Sequence, residues 1–304
     1  MLSSLYPGIW LVAPDAAPRY PYSNSLYIED DIPAVIDFGA GSRALGELPV
    51  AEVQLGFISH FHFDHLHCTP LFPDINLLCG QEERATYSSE EEYMSFHGYN
   101  LWQTIMPGIK RQLYGQVVKL ADDVPVNPGF RRLNMADIFT DGQQFKLGRH
   151  QLTAIHLPGH TAGHYGFYFP HYNLLFSGDI DLAPAGPWYS SNSANVESLK
   201  SSIRKIIALN PDTIVSSHRR VLKDNLRQQL EHYLQVVLDR EDNIYSLLST
   251  PQNLDSLAEH HLVFPGERNT YDLFWEKMTI RNHLISMCGQ EVVKEVAPGY
   301  YQRS

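Results

Sequence analysis

Over the first 80 residues apolar positions come in short runs separated by Gly, Pro and Asp. "GIWLVA" (8–13), "SLYIE" (25–29), "AVIDF" (34–38), "VQLGFIS" (53–59) and "INLLC" (75–79) each have the length and the β-branched or aromatic content of a strand. From 90 to 118 the pattern changes to helical pieces broken near Gly98 and Pro107, expected as an insertion over a sheet edge. Strands resume with "QFKLG" after the Asp141-Gly142 turn, then "QLTAIHL" (151–157), "YGFYF" (165–169), "NLLFSG" (173–178) and "DTIVSSH" (212–218). The segment 195–209 predicts a helix capped by Asn195. After residue 218 strand-like runs stop. Leu222, Leu226, Leu230, Tyr233, Leu234, Val237 and Leu238 fall at helical spacing, and further helices are expected over about 254–261 and 270–287. The layout is a mixed α/β unit over 1–220, with about 90–130 as a helical insertion, and a helical extension over 221–304.

Composition adds two constraints. With 34 acidic against 23 basic residues the formal charge is -11, the wrong sign for a surface built to grip nucleic acid. Three scattered cysteines, Cys68, Cys79 and Cys288, make neither a disulfide framework nor a zinc knuckle. With no basic-then-apolar leader and no apolar run near 18 residues, the expectation is a cytoplasmic protein with a small-molecule substrate and no membrane or nucleic-acid partner. The amphipathic tail must bury its apolar face on the main unit or on a second copy in a homodimer.

The candidate chemistry is concentrated in "SHFHFDHLH" (59–67), four histidines and an aspartate in nine positions. On an extended segment His60 and His62 share one side, and a turn brings Asp64 and His65 round to the same cavity. Imidazole and carboxylate are ligands for zinc and other first-row divalent ions, and this crowding exceeds what one ion needs. More candidates stand at strand ends: His160 in "LPGHTAGH", Asp179 in "FSGDID" and His218 in "IVSSH".

"HFHFDH", "LPGHTAGH", "SGD" and "SSH", in that order, resemble the motifs of the metallo-β-lactamase superfamily over residues about 8–218, and "AVIDFGAG" resembles its early strand ending in Asp-Gly. The resemblance implies an αββα sandwich with a dinuclear site. His60, His62 and His160 would hold one metal and Asp64, His65 and His218 the second, with Asp179 bridging. Zinc is the default and iron or manganese the alternatives. Histidine at position 62, where flavodiiron oxidoreductases carry Glu, and Asp179, which antibiotic-hydrolysing branches usually lack, resemble glyoxalase-II-like thioesterases and lactonases. The implied reaction is hydrolysis of a thioester, lactone or ester by a hydroxide shared between the metals. A phosphodiesterase, a mononuclear iron sulfur dioxygenase and a ligand-binding effector protein are the alternatives.

Among the remaining candidates, Asp64 would also orient the nucleophile or pass on its proton. His164 is a candidate proton donor or a support for the ligands. Asp37 is expected to hold the motif loop through backbone N–H groups. Trp188 and Tyr189 are candidates for the substrate pocket, and residues 93–102 for a lid. His67, one turn into an expected helix, and His156 read as structural.

Overall fold

The computed structural model describes all 304 residues. Seven strands form the first sheet in chain order: β1 (Leu2–Tyr6), β2 (Ile9–Val12), β3 (Ser25–Ile28), β4 (Ala34–Ile36), β5 (Leu55–Ile58), β6 (Asn76–Gly80) and β7 (Met135–Phe139). β1 to β4 are antiparallel, and β4 to β7 run parallel. The second sheet contains β8 (Gln144–Lys146), β9 (Gln151–His156), β10 (Tyr165–Phe169), β11 (Leu174–Phe176) and β12 (Thr213–Val215), with β12 at one edge and β8 at the other.

The period-2 alternation decides which side chains meet between the sheets. Ala34 and Ile36 of β4 point into a shared core with Phe57, Phe167, Leu174 and Phe176, while Val35 and Leu175 face outward. The outward face of the first sheet is covered by Leu45 of the short helix α1 (Ser42–Leu45) and by loop residues such as Phe61 and Phe72. Beyond it in the chain come α2 (Glu90–His97) and the single turns α3 (Trp102–Ile105) and α4 (Tyr114–Val117). The second sheet is covered by α5 (Val196–Leu209) and α6 (Leu226–Leu247), whose Leu199, Ile203, Leu230 and Tyr233 pack on Leu157, Leu175 and Ile214. Helices thus flank two stacked sheets, the αββα arrangement. The Asn195 side chain accepts from the Ser198 N–H and caps α5.

Several expectations are corrected. β1 and β7 extend the first sheet at both edges. Strands do not stop at 218, since β13 (Val293–Ala297) and β14 (Tyr300–Arg303) form a hairpin after the helices α7 (Leu254–Ala258) and α8 (Thr270–Gly289). α6 starts at Leu226 rather than 222, because Asn225 is left-handed (φ 52°). The insertion expected over about 90–118 packs its Tyr93 and Phe96 on the outer face of the first sheet and then reaches beyond it. Its Trp102, Ile105 and Met106 pack on Tyr271, Phe274 and Met278 of α8, so insertion and tail close over the molecule together. No helix is long and apolar enough to cross a membrane.

Candidate metal centre

Asp37 follows β4, His60 follows β5, Asp179 follows β11 and His218 follows β12, so the candidate residues collect at the strand ends of one rim, with His160 arriving on the loop after β9. Two close approaches shape this rim. A Cβ on Gly39 would overlap the Asp64 carbonyl oxygen, and Gly178, at φ +54°, leaves room for the His164 ring beneath Asp179.

His60 Nε2, His62 Nδ1 and His160 Nε2 form a triangle with sides of 2.9, 2.9 and 3.1 Å. All three rings are buried, and burial holds their pKa values below the ordinary histidine value, so they are neutral. Their outer hydrogen bonds fix the tautomers of two of them. The Ser59 hydroxyl donates to Asp37 Oδ2 (2.7 Å), which leaves it to accept from His60 Nδ1–H (3.0 Å). His160 Nδ1–H donates to the Trp188 carbonyl (2.6 Å). In those tautomers two bare nitrogen lone pairs face each other at 3.1 Å, an arrangement that a cation between them would stabilise. The spacing is near the edge of a tetrahedron with metal–nitrogen bonds of about 2.0–2.1 Å, roughly 3.3 Å.

Asp64, His65 and His218 form a second group. Asp64 Oδ2 is 3.3 Å from His218 Nε2 and 3.9 Å from His65 Nε2. His65 Nδ1–H is held by Asp37 Oδ2 (2.7 Å) and His218 Nδ1–H by the Tyr22 carbonyl (3.1 Å), which aims both Nε2 atoms inward. Asp179 stands between the groups. Its Oδ2 is 3.3 Å from both His160 and His218, and its Oδ1 is 3.1 Å from His65 Nε2. Although that close, His65 Nε2 and Asp179 Oδ1 make no hydrogen bond and are orphaned buried polar atoms. Burial opposes charge on His65, but Asp179, Asp37 and Asp64 outweigh it and push the imidazole up to about 10. Burial would likewise raise Asp179, yet His218, His65, His160 and His60 hold it well below the usual carboxylate range. The carboxylates call for positive charge at this point, which protonated imidazole or a divalent cation supplies. Within each group the ligand atoms lie within 4.8 Å of one another, with Asp179 falling in the first group. The seven residues fit two such cations.

The other candidates divide. Asp37 holds the motif loop by accepting from the Ser59 N–H (2.8 Å), and it also orients His65. Trp188 lines the cavity over the site. Tyr189 does not: it is fully buried, with its hydroxyl on His283 Nε2 (2.9 Å) and Arg240 over its ring, because adjacent residues of the loop face opposite ways. His164 is no proton donor. Its Nδ1–H is spent on the Leu157 carbonyl (3.0 Å), its Nε2 accepts the Asp179 backbone N–H (2.9 Å), and burial lowers its pKa to about 3. It positions Asp179. His67 lies in no helix, only past a 3-10 turn at Phe63–His65, and its Nε2–H meets the Gly39 carbonyl at 3.2 Å.

Sequence reading missed Glu83. Its fully buried carboxylate accepts from Phe61 N–H (2.8 Å), Gly163 N–H (3.0 Å) and the Thr161 hydroxyl, tying the His60–His62 loop to the His160 loop. Burial pushes its pKa up to about 7, against the pull of those three donors. The only signal was the acidic pair Glu82-Glu83, one residue beyond the end of a parallel strand. Glu83→Ala is expected to lower stability by about 1–3 kcal/mol for each donor left unpaired, and Glu83→Gln by much less, since it keeps an acceptor oxygen. Denaturant midpoints check this; an alanine variant as stable as the wild type contradicts it.

A sequence model described as the Metallo-beta-lactamase superfamily matches residues 19–218. A hydroxyacylglutathione hydrolase of Cereibacter sphaeroides (strain ATCC 17029 / ATH 2.4.9) is 33% identical over 87 residues, covering 29% of this chain, so the match spans about a third (33%) of that relative's length. The hydroxyacylglutathione hydrolase of Bartonella henselae is 22% identical over 223 residues, 70% of this chain and 80% of the relative. Among solved structures, a metallo-beta-lactamase family protein from Thermus thermophilus superposes with a TM-score of 0.76 at 21% identity, covering 99% of this chain and 100% of the other. A beta-lactamase domain protein from Burkholderia ambifaria gives 0.67 at 17% identity, covering 100% and 93%. At these identities the two structures speak for the fold alone.

Proposed function

The chain belongs to the metallo-beta-lactamase superfamily, and on that premise we propose that it is a dinuclear metal-dependent hydrolase of a thioester or of a lactone or other carboxylic ester. The observation that carries this reading is the convergence of seven ligand residues in two groups, with Asp179 between them, at the floor of a cavity of about 760 Å³ that His62, Asp64, His160, Asp179 and His218 line. The glyoxalase-II-like relatives favour a thioester over the phosphodiester alternative.

His60, His62 and His160 would hold one ion, and Asp64, His65 and His218 the other, with Asp179 shared. Bound divalent ions supply Lewis acidity toward a carbonyl oxygen and lower the pKa of water toward neutrality. The chain's own residues do the rest. His60 and His160, neutral and held in one tautomer by Ser59 and the Trp188 carbonyl, present lone pairs at no cost in deprotonation near pH 7, whereas His65, raised by its carboxylate neighbours, would release a proton when an ion binds. Asp64 lines the cavity and is the carboxylate placed to take the proton of the attacking water. Trp188 packs beside His62 and His160, with ring centroids 5.3 and 5.5 Å away, and keeps bulk water off that side. Asp37 and Ser59 hold the ligand rings in register. The three cysteines are unpaired, in keeping with a reducing, cytoplasmic setting.

The test is elemental analysis of untagged protein combined with turnover on thioester, lactone and phosphodiester panels. Two divalent ions per chain and oxygen-independent cleavage of thioesters or lactones are expected. One iron with oxygen uptake would replace this reading with a dioxygenase, and phosphodiester cleavage alone would replace it with a phosphodiesterase.

A further inference from the structure

The cavity over the metal centre has two features that the hydrolytic chemistry does not require. The first is an aromatic wall. From Trp188, beside His62 and His160, it continues to Trp275 at 5.7 Å, which in turn meets Tyr114 at 5.3 Å and Phe264 at 6.5 Å between ring centroids. Trp275 belongs to α8 and Phe264 to the loop before it, so the tail builds the outer half of this wall. Such a face binds aryl or long acyl groups by burial and stacking. A short hydroxyacyl group would leave most of the 760 Å³ unfilled.

The second feature is charge. Arg19, Arg111, Arg219 and Arg220 all line the same cavity. The protein's arginine ion pairs lie elsewhere, at Arg149, Arg227 and Arg268. Arg111 rests over the Tyr99 ring at 4.7 Å and reaches only the Tyr271 hydroxyl and Met94 Sδ, while Arg219 donates to the Leu182 carbonyl, so neutral partners leave both charges uncompensated. Arg19 and Arg220 are exposed. Against them, outside the metal ligands, stand Glu90 and Asp181, and Asp181 is taken up by the Tyr233 hydroxyl and the Ala183 N–H. In a chain of net charge -11, four unpaired arginines around one cavity form a local anion trap.

We propose that the substrate is an amphiphilic anion: an acyl ester or thioester with an aryl or long-chain apolar acyl group lying on the Trp188–Trp275 wall and a phosphate or carboxylate on its leaving group held by the arginines. This deepens the hydrolytic reading and rests on it for the bond that is cleaved, but the binding preference is measurable without turnover.

The probes are thioethers, which cannot be hydrolysed: S-benzyl-coenzyme A with phosphates, S-benzylglutathione with carboxylates, neutral S-benzyl-N-acetylcysteamine, and the S-methyl counterparts of the first two. Binding is read by calorimetry and by quenching of tryptophan fluorescence, on metal-free and metal-loaded full-length protein. At least one anionic benzyl thioether should bind about 10-fold or more tighter than both the neutral benzyl compound and its own S-methyl form, and the stronger of the two identifies phosphate or carboxylate. Arg19→Ala with Arg220→Ala, both at exposed positions, should weaken the anionic ligand about 10-fold more than the neutral one. Trp275→Ala should erode the benzyl-over-methyl preference. Equal binding of neutral and anionic benzyl compounds, equal losses for both in the arginine variant, or no binding of any thioether overturns the proposal. Selective binding with no turnover on any ester panel overturns the hydrolytic reading instead.

Discussion

Asp179→Asn is expected to lower kcat/KM on any ester the wild type cleaves by more than about 10²-fold, exceeding the roughly 10–100-fold typical of groups that only support a ligand. It is also expected to release metal. The reason lies in the position of Asp179. Its two oxygens reach His65, His160 and His218 at 3.1–3.3 Å, so it is the one carboxylate in touch with both groups. An amide keeps the shape and the backbone hydrogen bond to His164 but removes a full negative charge from a point between two proposed divalent ions. The variant should fold, because the side chain packs no core. Normal circular dichroism with lost turnover and fewer than two metals per chain is the predicted outcome. Wild-type turnover would show that Asp179 is not shared.

Asp37→Ala is expected to weaken the ion held by Asp64, His65 and His218 by about 10–100-fold and to destabilise the fold. Asp37 is fully buried and accepts from the Ser59 N–H, the Ser59 hydroxyl and His65 Nδ1–H. Truncation leaves the two Ser59 donors without a partner, at about 1–3 kcal/mol each, and frees the His65 ring to rotate or change tautomer. The ion at His60, His62 and His160 should be affected less, since only the Ser59 contact to His60 connects it to Asp37. Chelator competition with the two sites resolved, together with denaturant unfolding, measures both effects. Equal weakening of the two ions would mean that Asp37 acts on the whole rim rather than through His65.

The strands of the sandwich were legible because each buried run is short, apolar and bounded by Gly, Pro or Asp, as in 34–38 and 173–178. The edges were not. β1, "LSSLY", is mostly exposed at a sheet margin, and β13 carries exposed "KEVA", so neither shows the apolar signal of a buried strand. The Pro298-Gly299 turn before β14 was the cue available there. At the site, the motifs named the residues that converge, because those residues lie at strand ends in the sequence itself. What they could not give was direction. Trp188 and Tyr189 are neighbours, yet one faces the cavity and the other the core. His164 looks like a catalytic histidine until the Leu157 carbonyl and the Asp179 N–H are seen to occupy both nitrogens. Glu83 was invisible because its partners lie 22 and 78–80 residues away in the chain. The tail's contribution to the cavity was equally hidden, since amphipathic spacing shows that a face is buried but not against what.

The most direct test is an anomalous difference map from crystals of wild-type protein loaded with zinc, recorded at the zinc edge. Two peaks are predicted, one among His60, His62 and His160 and one among Asp64, His65 and His218, with the Asp179 carboxylate between them. A single peak, or none within reach of these side chains, would contradict the dinuclear centre on which the proposed chemistry rests.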